Sequence, residues 1–121
     1  MLRFTIPIPE KVSLNKIYAG VHFRERQGHK DQYFYAVLAH KPPVYTGTYP
    51  VHAHYHFRLH GSRLDISNHA YMLKMTEDAL VAAGILPGDE QKYVGQITIT
   101  AERITDGCDE VEVILQPLVV E

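Results

Sequence analysis

Apolar and polar residues alternate along this chain in four stretches. Leu2 to Ile8 alternates through Leu2, Phe4, Ile6 and Ile8 and reads as a first strand ended by Pro7 and Pro9. VHAHYHFRLH, residues 51–60, holds a period of two throughout. Val51, Ala53, Tyr55, Phe57 and Leu59 fall on one face of it, and His52, His54, His56, Arg58 and His60 on the other. Gln96 to Ala101 and Glu110 to Val119 alternate again, joined by the turn TDGCD; the acidic outer positions of the second predict an edge or surface strand. Helical spacing appears twice. His29 to His40 turns Tyr33 and Val37 inward, with Phe34 and Leu38 as further inward candidates. A second helix follows Ser67, with Asp65 or Ser67 as N-cap, Ala70, Leu73, Ala79, Leu80 and Ala83 as its buried stripe, Gly84 at C′ and Pro87 beyond. Pro42, Pro43, Thr46, Gly47 and Pro50 mark the loop between. The order β–α–β–α–β–β predicts an α+β fold: one domain over residues 1–121, with a mixed sheet and helices packed on it.

Composition narrows the chemistry. A chain of 121 residues is long enough for one real core. The lone Cys108 excludes an intrachain disulfide and a multi-cysteine zinc site, and its acidic neighbours disfavour a catalytic thiolate. No apolar run approaches the ~20 residues needed to span a bilayer, and the N-terminus lacks a signal peptide's apolar core; a cytoplasmic domain without a membrane partner is expected. The net charge of −2 hides an asymmetry: residues 1–74 carry ten basic and four acidic groups, and residues 75–121 two basic and ten acidic. That division suggests one face for phosphates and another region for cations, unless the two halves interleave in space and average out.

Two segments carry candidate chemistry outside the second helix. Ser13 to Gly28 has no clean period, and here and just beyond it Lys16, His22, Arg24, Arg26 and Lys30 gather among Tyr18 and Phe23. Such interleaving suits phosphate contact with base or sugar stacking, or equally a solvated loop with two tucked aromatics. The alternating histidines invite a metal reading, but a strand sets alternate side chains about 7 Å apart, so three seldom converge on one ion. A face for packing, subunit contact or phosphate contact is the preferred reading; a transition-metal protein built on His52, His54 and His56 is the alternative.

The stretch Arg63 to Tyr93 organises the rest. Asp65 precedes the helix, Asn68, Lys74 and Asp78 lie along it, and Asp89–Glu90 follow its stop. Phosphodiester hydrolysis needs a metal to neutralise the scissile phosphate and acidify an attacking water, and magnesium takes only one or two carboxylates. A helix of about 16 residues runs ~24 Å, so Asp65 and Asp89 meet only if the chain doubles back after Gly84 or across a subunit boundary. Lys74 could bind phosphate or stabilise a leaving oxyanion. Asn68 could orient Asp65 or hold phosphate at the helix N-terminus. The bland alternatives are helix capping for Asp65 and Asn68 and an exposed i,i+4 ion pair for Lys74 and Asp78.

The pattern Asp65-x-x-Asn68-x5-Lys74-x3-Asp78-x-Leu80, then Gly84-Ile85-Leu86 and Asp89-Glu90, resembles the RusA family of Holliday junction resolvases. The opening FTIPIPEKVSLNKIYAG, with Ser13 and Asn15, is similar to that family's first strand, and the likeness covers most of the chain. The resemblance implies a homodimer that binds four-way DNA junctions and nicks them with magnesium or manganese, in recombination and repair. It makes Asp65, Asp89 and Lys74 the catalytic residues. Many members carry a second Asp where this chain has Ser67; Asp78 or Glu90 would then join Asp65 and Asp89 around the metal. Asn15, Lys16, Arg24, Arg26, Lys30, Arg63 and Asn68 are the expected DNA contacts. A junction-binding module with weakened or lost catalysis is the alternative, motivated by Ser67.

Overall fold

The computed structural model describes residues 1–9, 23–60 and 69–119. Six elements follow in order: β1 (Leu2–Pro7), α1 (Phe23–His40), β2 (Val51–His60), α2 (Ala70–Ala82), β3 (Val94–Ile104) and β4 (Glu110–Pro117). The strands form one four-stranded mixed sheet in the order β1-β4-β2-β3, with β4 antiparallel to both neighbours and β2 parallel to β3. This is an α+β architecture. No helix among the described residues is long and apolar enough to cross a membrane.

The period of two in β2 decides which face the helices cover. Val51, Ala53, Tyr55, Phe57 and Leu59 are all buried, as are Val111, Val113 and Leu115 on β4 and Phe4 and Ile6 on β1. Tyr33 and Val37 of α1 and Met72, Leu73, Met75, Ala79 and Leu80 of α2 join them in one core. At roughly 25 cal/mol per Å² of apolar area removed from water, this layer is the main source of stability. The other sheet face stays open and polar. Registers across β2 place His52, His54, His56 and Arg58 between Gln116, Ile114, Glu112 and Glu110 on one side and Gln96, Thr98, Thr100 and Glu102 on the other.

Four expectations need correction. First, α1 begins at Phe23, six residues before His29, so Arg24 and Arg26 lie on a helix and not in a loop. Residues 24–28 are exposed, and a solvated turn of good helix formers needs no apolar period. Second, β4 is an inner strand and β3 an edge; the acidic outer positions of β4 are neutralised by Arg58 from β2. The turn TDGCD therefore carries the chain past β2 instead of closing a hairpin, with Gly107 at φ 89° supplying the left-handed bend. Third, α2 is 13 residues long and capped at His69, which makes no side-chain cap bond. Its buried stripe is also broader than expected: from Tyr71 to Leu80, Lys74 alone is exposed and Asp78 alone is half-buried. Fourth, Leu38 faces solvent, whereas Phe34 is half-buried against the core.

A candidate carboxylate and lysine site on the second helix

The stop of α2 sets up the site. Gly84 sits at φ 81°, Gly84 N–H donates to the Val81 carbonyl and Ile85 N–H to the Leu80 carbonyl. This is the paired-bond C-cap in which a left-handed residue reverses the chain. Ile85 and Leu86 are then buried against the core, which pins the returning segment along α2. Pro87 and Gly88 follow, with the Gly88 backbone so close to the Tyr93 ring that a Cβ would lie 3.0 Å from it. The next residue is Asp89, brought back level with the middle of the helix.

Asp89 meets Lys74 there. The Lys74 ammonium donates to Asp89 Oδ2 at 2.7 Å, lies 3.1 Å from Asp78 Oδ1 and stands 3.7 Å from Glu77 Oε1. Asp78 and Glu77 are reached by the i,i+4 and i,i+3 spacing of one helix flank; Asp89 is reached only because the chain doubles back. The hydrogen bond to Asp89 raises the Lys74 pKa above its ordinary value, with Asp78 adding to it and burial opposing. The same bond lowers the Asp89 pKa. Lys74 is thus charged and Asp89 ionised throughout the neutral range.

Glu77 differs in kind. Its side chain is 6% exposed, and its Oε2 has no hydrogen-bond partner among the described residues. Burial raises its pKa, and Asp89 and Asp78 push the same way against Lys74. The buried Tyr55 hydroxyl from β2 also lacks a partner, and its pKa is raised by burial, then by Glu77 and Asp78. Neither group was singled out by sequence reasoning. Glu77 could have been: four residues after Leu73 and three before Leu80, it occupies the apolar stripe, where a carboxylate is out of place. Nothing in the sequence marks the Tyr55 hydroxyl, because a tyrosine on a buried strand face reads as core.

Asp78 also lines a groove of about 150 Å³ between the helices, shared with Gln27, Lys30, Asp31 and Phe34 of α1 and Ala79 and Ala82 of α2. Lys30 is therefore brought to the edge of the site, and Arg26 stands one helical turn before it. Arg24 is exposed nearer the start of α1. Glu90 is turned away, 3.8 Å from Lys92. Asp65, Arg63, Asn68, Asn15 and Lys16 lie outside the described residues, as do Ser67 and the other helix-cap candidate positions.

The donor set is all oxygen, which is the chemistry of magnesium or manganese. Asp78 and Asp89 supply the one or two carboxylates that magnesium ordinarily takes, and Glu77 Oε2 has no hydrogen-bond partner among the described residues. Two carboxylates alone do not complete such a site. Among the described residues no group of three His, Cys, Asp or Glu side chains is arranged to hold a metal. That includes the histidine face. There His52 shares a hydrogen bond with Thr98, His54 and His56 both share one with Thr100, and His56 also reaches Glu102.

No protein-family model and no curated protein matches this sequence.

Proposed function

We propose that the chain is a metal-dependent endonuclease of the RusA kind, acting on branched DNA as a homodimer in recombination and repair. One observation carries the reading: Asp78 and Asp89, eleven residues apart in sequence and on different elements, converge on the Lys74 ammonium. Lys74, Asp78 and Asp89, which match the family pattern, thus lie together, while Glu90 does not join them. A bound magnesium or manganese ion would be held by Asp78 and Asp89, with Asp65 from outside the described residues, and would supply charge neutralisation at the phosphate and a more acidic water. Lys74 binds a phosphate oxygen or stabilises the leaving oxyanion. Lys30 and Arg26, along the neighbouring helix, hold the DNA backbone in register without reading sequence.

The direct test is incubation with a synthetic four-way junction and magnesium or manganese. The expected result is paired nicking that falls by roughly a hundredfold or more in Asp89→Asn and Lys74→Met, as for loss of a transition-state charge contact. Wild-type protein that binds the junction but never nicks it would sink the enzymatic claim. A second reading, a junction-binding module without catalysis, is favoured by Ser67 in place of an Asp. It predicts salt-sensitive junction binding that Asp89→Asn leaves unchanged, with no nicking by either protein.

A further inference from the structure

We propose that β3 is the contact between two copies of this chain, paired antiparallel with its own symmetry mate about a twofold axis normal to the sheet. The inference names the interface of the homodimer in the reading above and does not depend on that reading's chemistry. β3 is an edge of the sheet, and β2 is its only strand neighbour among the described residues. Its eleven residues present an edge of about 36 Å, with the N–H and C=O of every second residue turned away from β2. Exposed edges are ordinarily guarded by shortness, proline, lysine or bulges. β3 has neither proline nor lysine, its one register shift against β2 falls at Val51 and His52, and its charges, Glu102 and Arg103, stand near its end.

Two further observations select a second copy as the occupant. The first is that the helix layer stops short of β3. Ala53, Tyr55, Phe57 and Leu59 of β2 are buried, yet their neighbours on the same face, Ile97, Ile99, Ala101 and Arg103, are not, and Ile97 is 43% exposed. An apolar stripe is thus left at the edge, where an added strand would extend it. The second is that the strand is complementary to itself. With the axis at Ile99, that residue faces its own mate, and Ile97 faces the second copy's Ala101. On the open face Thr98 meets the second copy's Thr100, and Gln96 its Glu102. All eleven residues pair in this register, and no like charges stand opposite each other. Moving the axis to Thr98 sets Glu102 against Val94, and moving it to Thr100 sets Arg103 against Ile97. Because the axis is normal to the sheet, the helices of both copies, and with them both Lys74 clusters, lie on one side of a continuous sheet. On the reading above, that turns two nicking sites toward one junction.

The experiment is sedimentation velocity on the full chain without DNA, over a range of protein concentrations, with the wild type expected to form dimers. Ile99→Lys sets two ammonium groups opposite each other and should weaken the dimer about tenfold or more. Ile97→Lys should weaken it too, and adding Ala101→Glu should restore it. The two new charges meet only across the axis, since within one copy they stand about 13 Å apart. Circular dichroism checks that each variant is folded, and the charge-swap pair decides the case if Ile99→Lys is not. In the wild type, amide exchange along β3 should slow as the dimer forms; unchanged exchange there overturns the interface. A wild-type chain that stays monomeric throughout overturns the interface and the homodimer together, while the nicking assay judges the chemistry separately. A dimer that both single lysine variants leave intact overturns the β3 interface alone. Weakening by Ile97→Lys that Ala101→Glu fails to restore overturns the register and the self-complementarity that rests on it.

Discussion

Two clusters in this molecule have the same formula, one cation facing three carboxylates, and they behave as opposites. On the open sheet face Arg58 gives Nε to Glu102 at 2.9 Å, Nη1 to Glu110 at 3.3 Å and Nη2 to Glu112 at 3.1 Å. Every nitrogen of the guanidinium has its own carboxylate, set by the register of β2 against both neighbouring strands. On α2 a single ammonium faces Asp89, Asp78 and Glu77 at graded distances, with one buried oxygen left over. The planar fork presents its donors in fixed directions that reach three carboxylates across the sheet, whereas the Lys74 ammonium leaves Glu77 at 3.7 Å. The first arrangement is closed and holds strands together. The second leaves one buried carboxylate oxygen without a hydrogen-bond partner among the described residues.

Breaking the closed cluster tests that distinction most severely. Arg58→Met removes the only cation that spans β3, β2 and β4 in these contacts; it leaves Glu110 without that partner and Glu112 with only the longer 3.9 Å contact to Arg3. The expected loss is about 1–2 kcal/mol of unfolding free energy by urea titration, since charge networks count for more than isolated surface pairs. Arg58→Lys should recover only part of it, because a lysine cannot serve three carboxylates in fixed directions. Junction nicking by the folded protein should be unaffected. Equal loss of nicking in Arg58→Met and Lys74→Met would erase the contrast between the clusters.

The open cluster is best sharpened through pH, because two of its three acids, Asp89 and Glu77, are shifted in opposite directions. Asp89 has its folded pKa lowered from an ordinary 3.8 by the Lys74 hydrogen bond, so its contribution to stability is present above that value and lost as pH falls through the folded one. Glu77 has its folded pKa raised from 4.5 by burial, so its favourable contribution is present below that value and lost as pH rises through the folded one. Wild-type protein should therefore lose stability in acid through Asp89 and give up a further increment above pH 4.5 through Glu77. Glu77→Gln should remove the second decline, gaining roughly 1 kcal/mol at neutral pH where the buried carboxylate would otherwise be charged. A Glu77→Gln profile parallel to wild type across that window would mean that Glu77 is not the source of the decline.

How much of this was legible depends on whether a feature repeats along the chain or is made by contacts across it. The two faces of β2 were readable because a strand's period of two transfers directly from sequence to structure. The reversal after α2 was readable because a left-handed C-cap calls for Gly84 and little else. The placement of β4 inside the sheet was not, since Glu110 and Glu112 look like solvent-facing edge residues until Arg58 is known to lie opposite. The start of α1 was hidden for a different reason, that an exposed turn leaves no apolar pattern. At the site, Lys74 and Asp78 follow from helical spacing, but their meeting with Asp89 is a tertiary event.

The smallest effect separates a tyrosine that packs from one that bonds. The Tyr55 ring lies in the core of the helix-covered face, yet its hydroxyl is buried near Glu77 with no hydrogen-bond partner among the described residues. A buried hydroxyl without a partner keeps its full desolvation cost, so Tyr55→Phe should be neutral or stabilising by up to about 1 kcal/mol. On β2's other face the hydroxyl-bearing neighbours are satisfied: Thr98 bonds His52, and Thr100 bonds His54 and His56. Thr100→Val should therefore cost about 0.5–1.5 kcal/mol where Tyr55→Phe costs nothing. Thermal unfolding of the two variants at pH 7 decides it. A Tyr55→Phe protein that melts lower than Thr100→Val would show that the hydroxyl bonds Glu77 after all, and that the site on α2 is as closed as the one around Arg58.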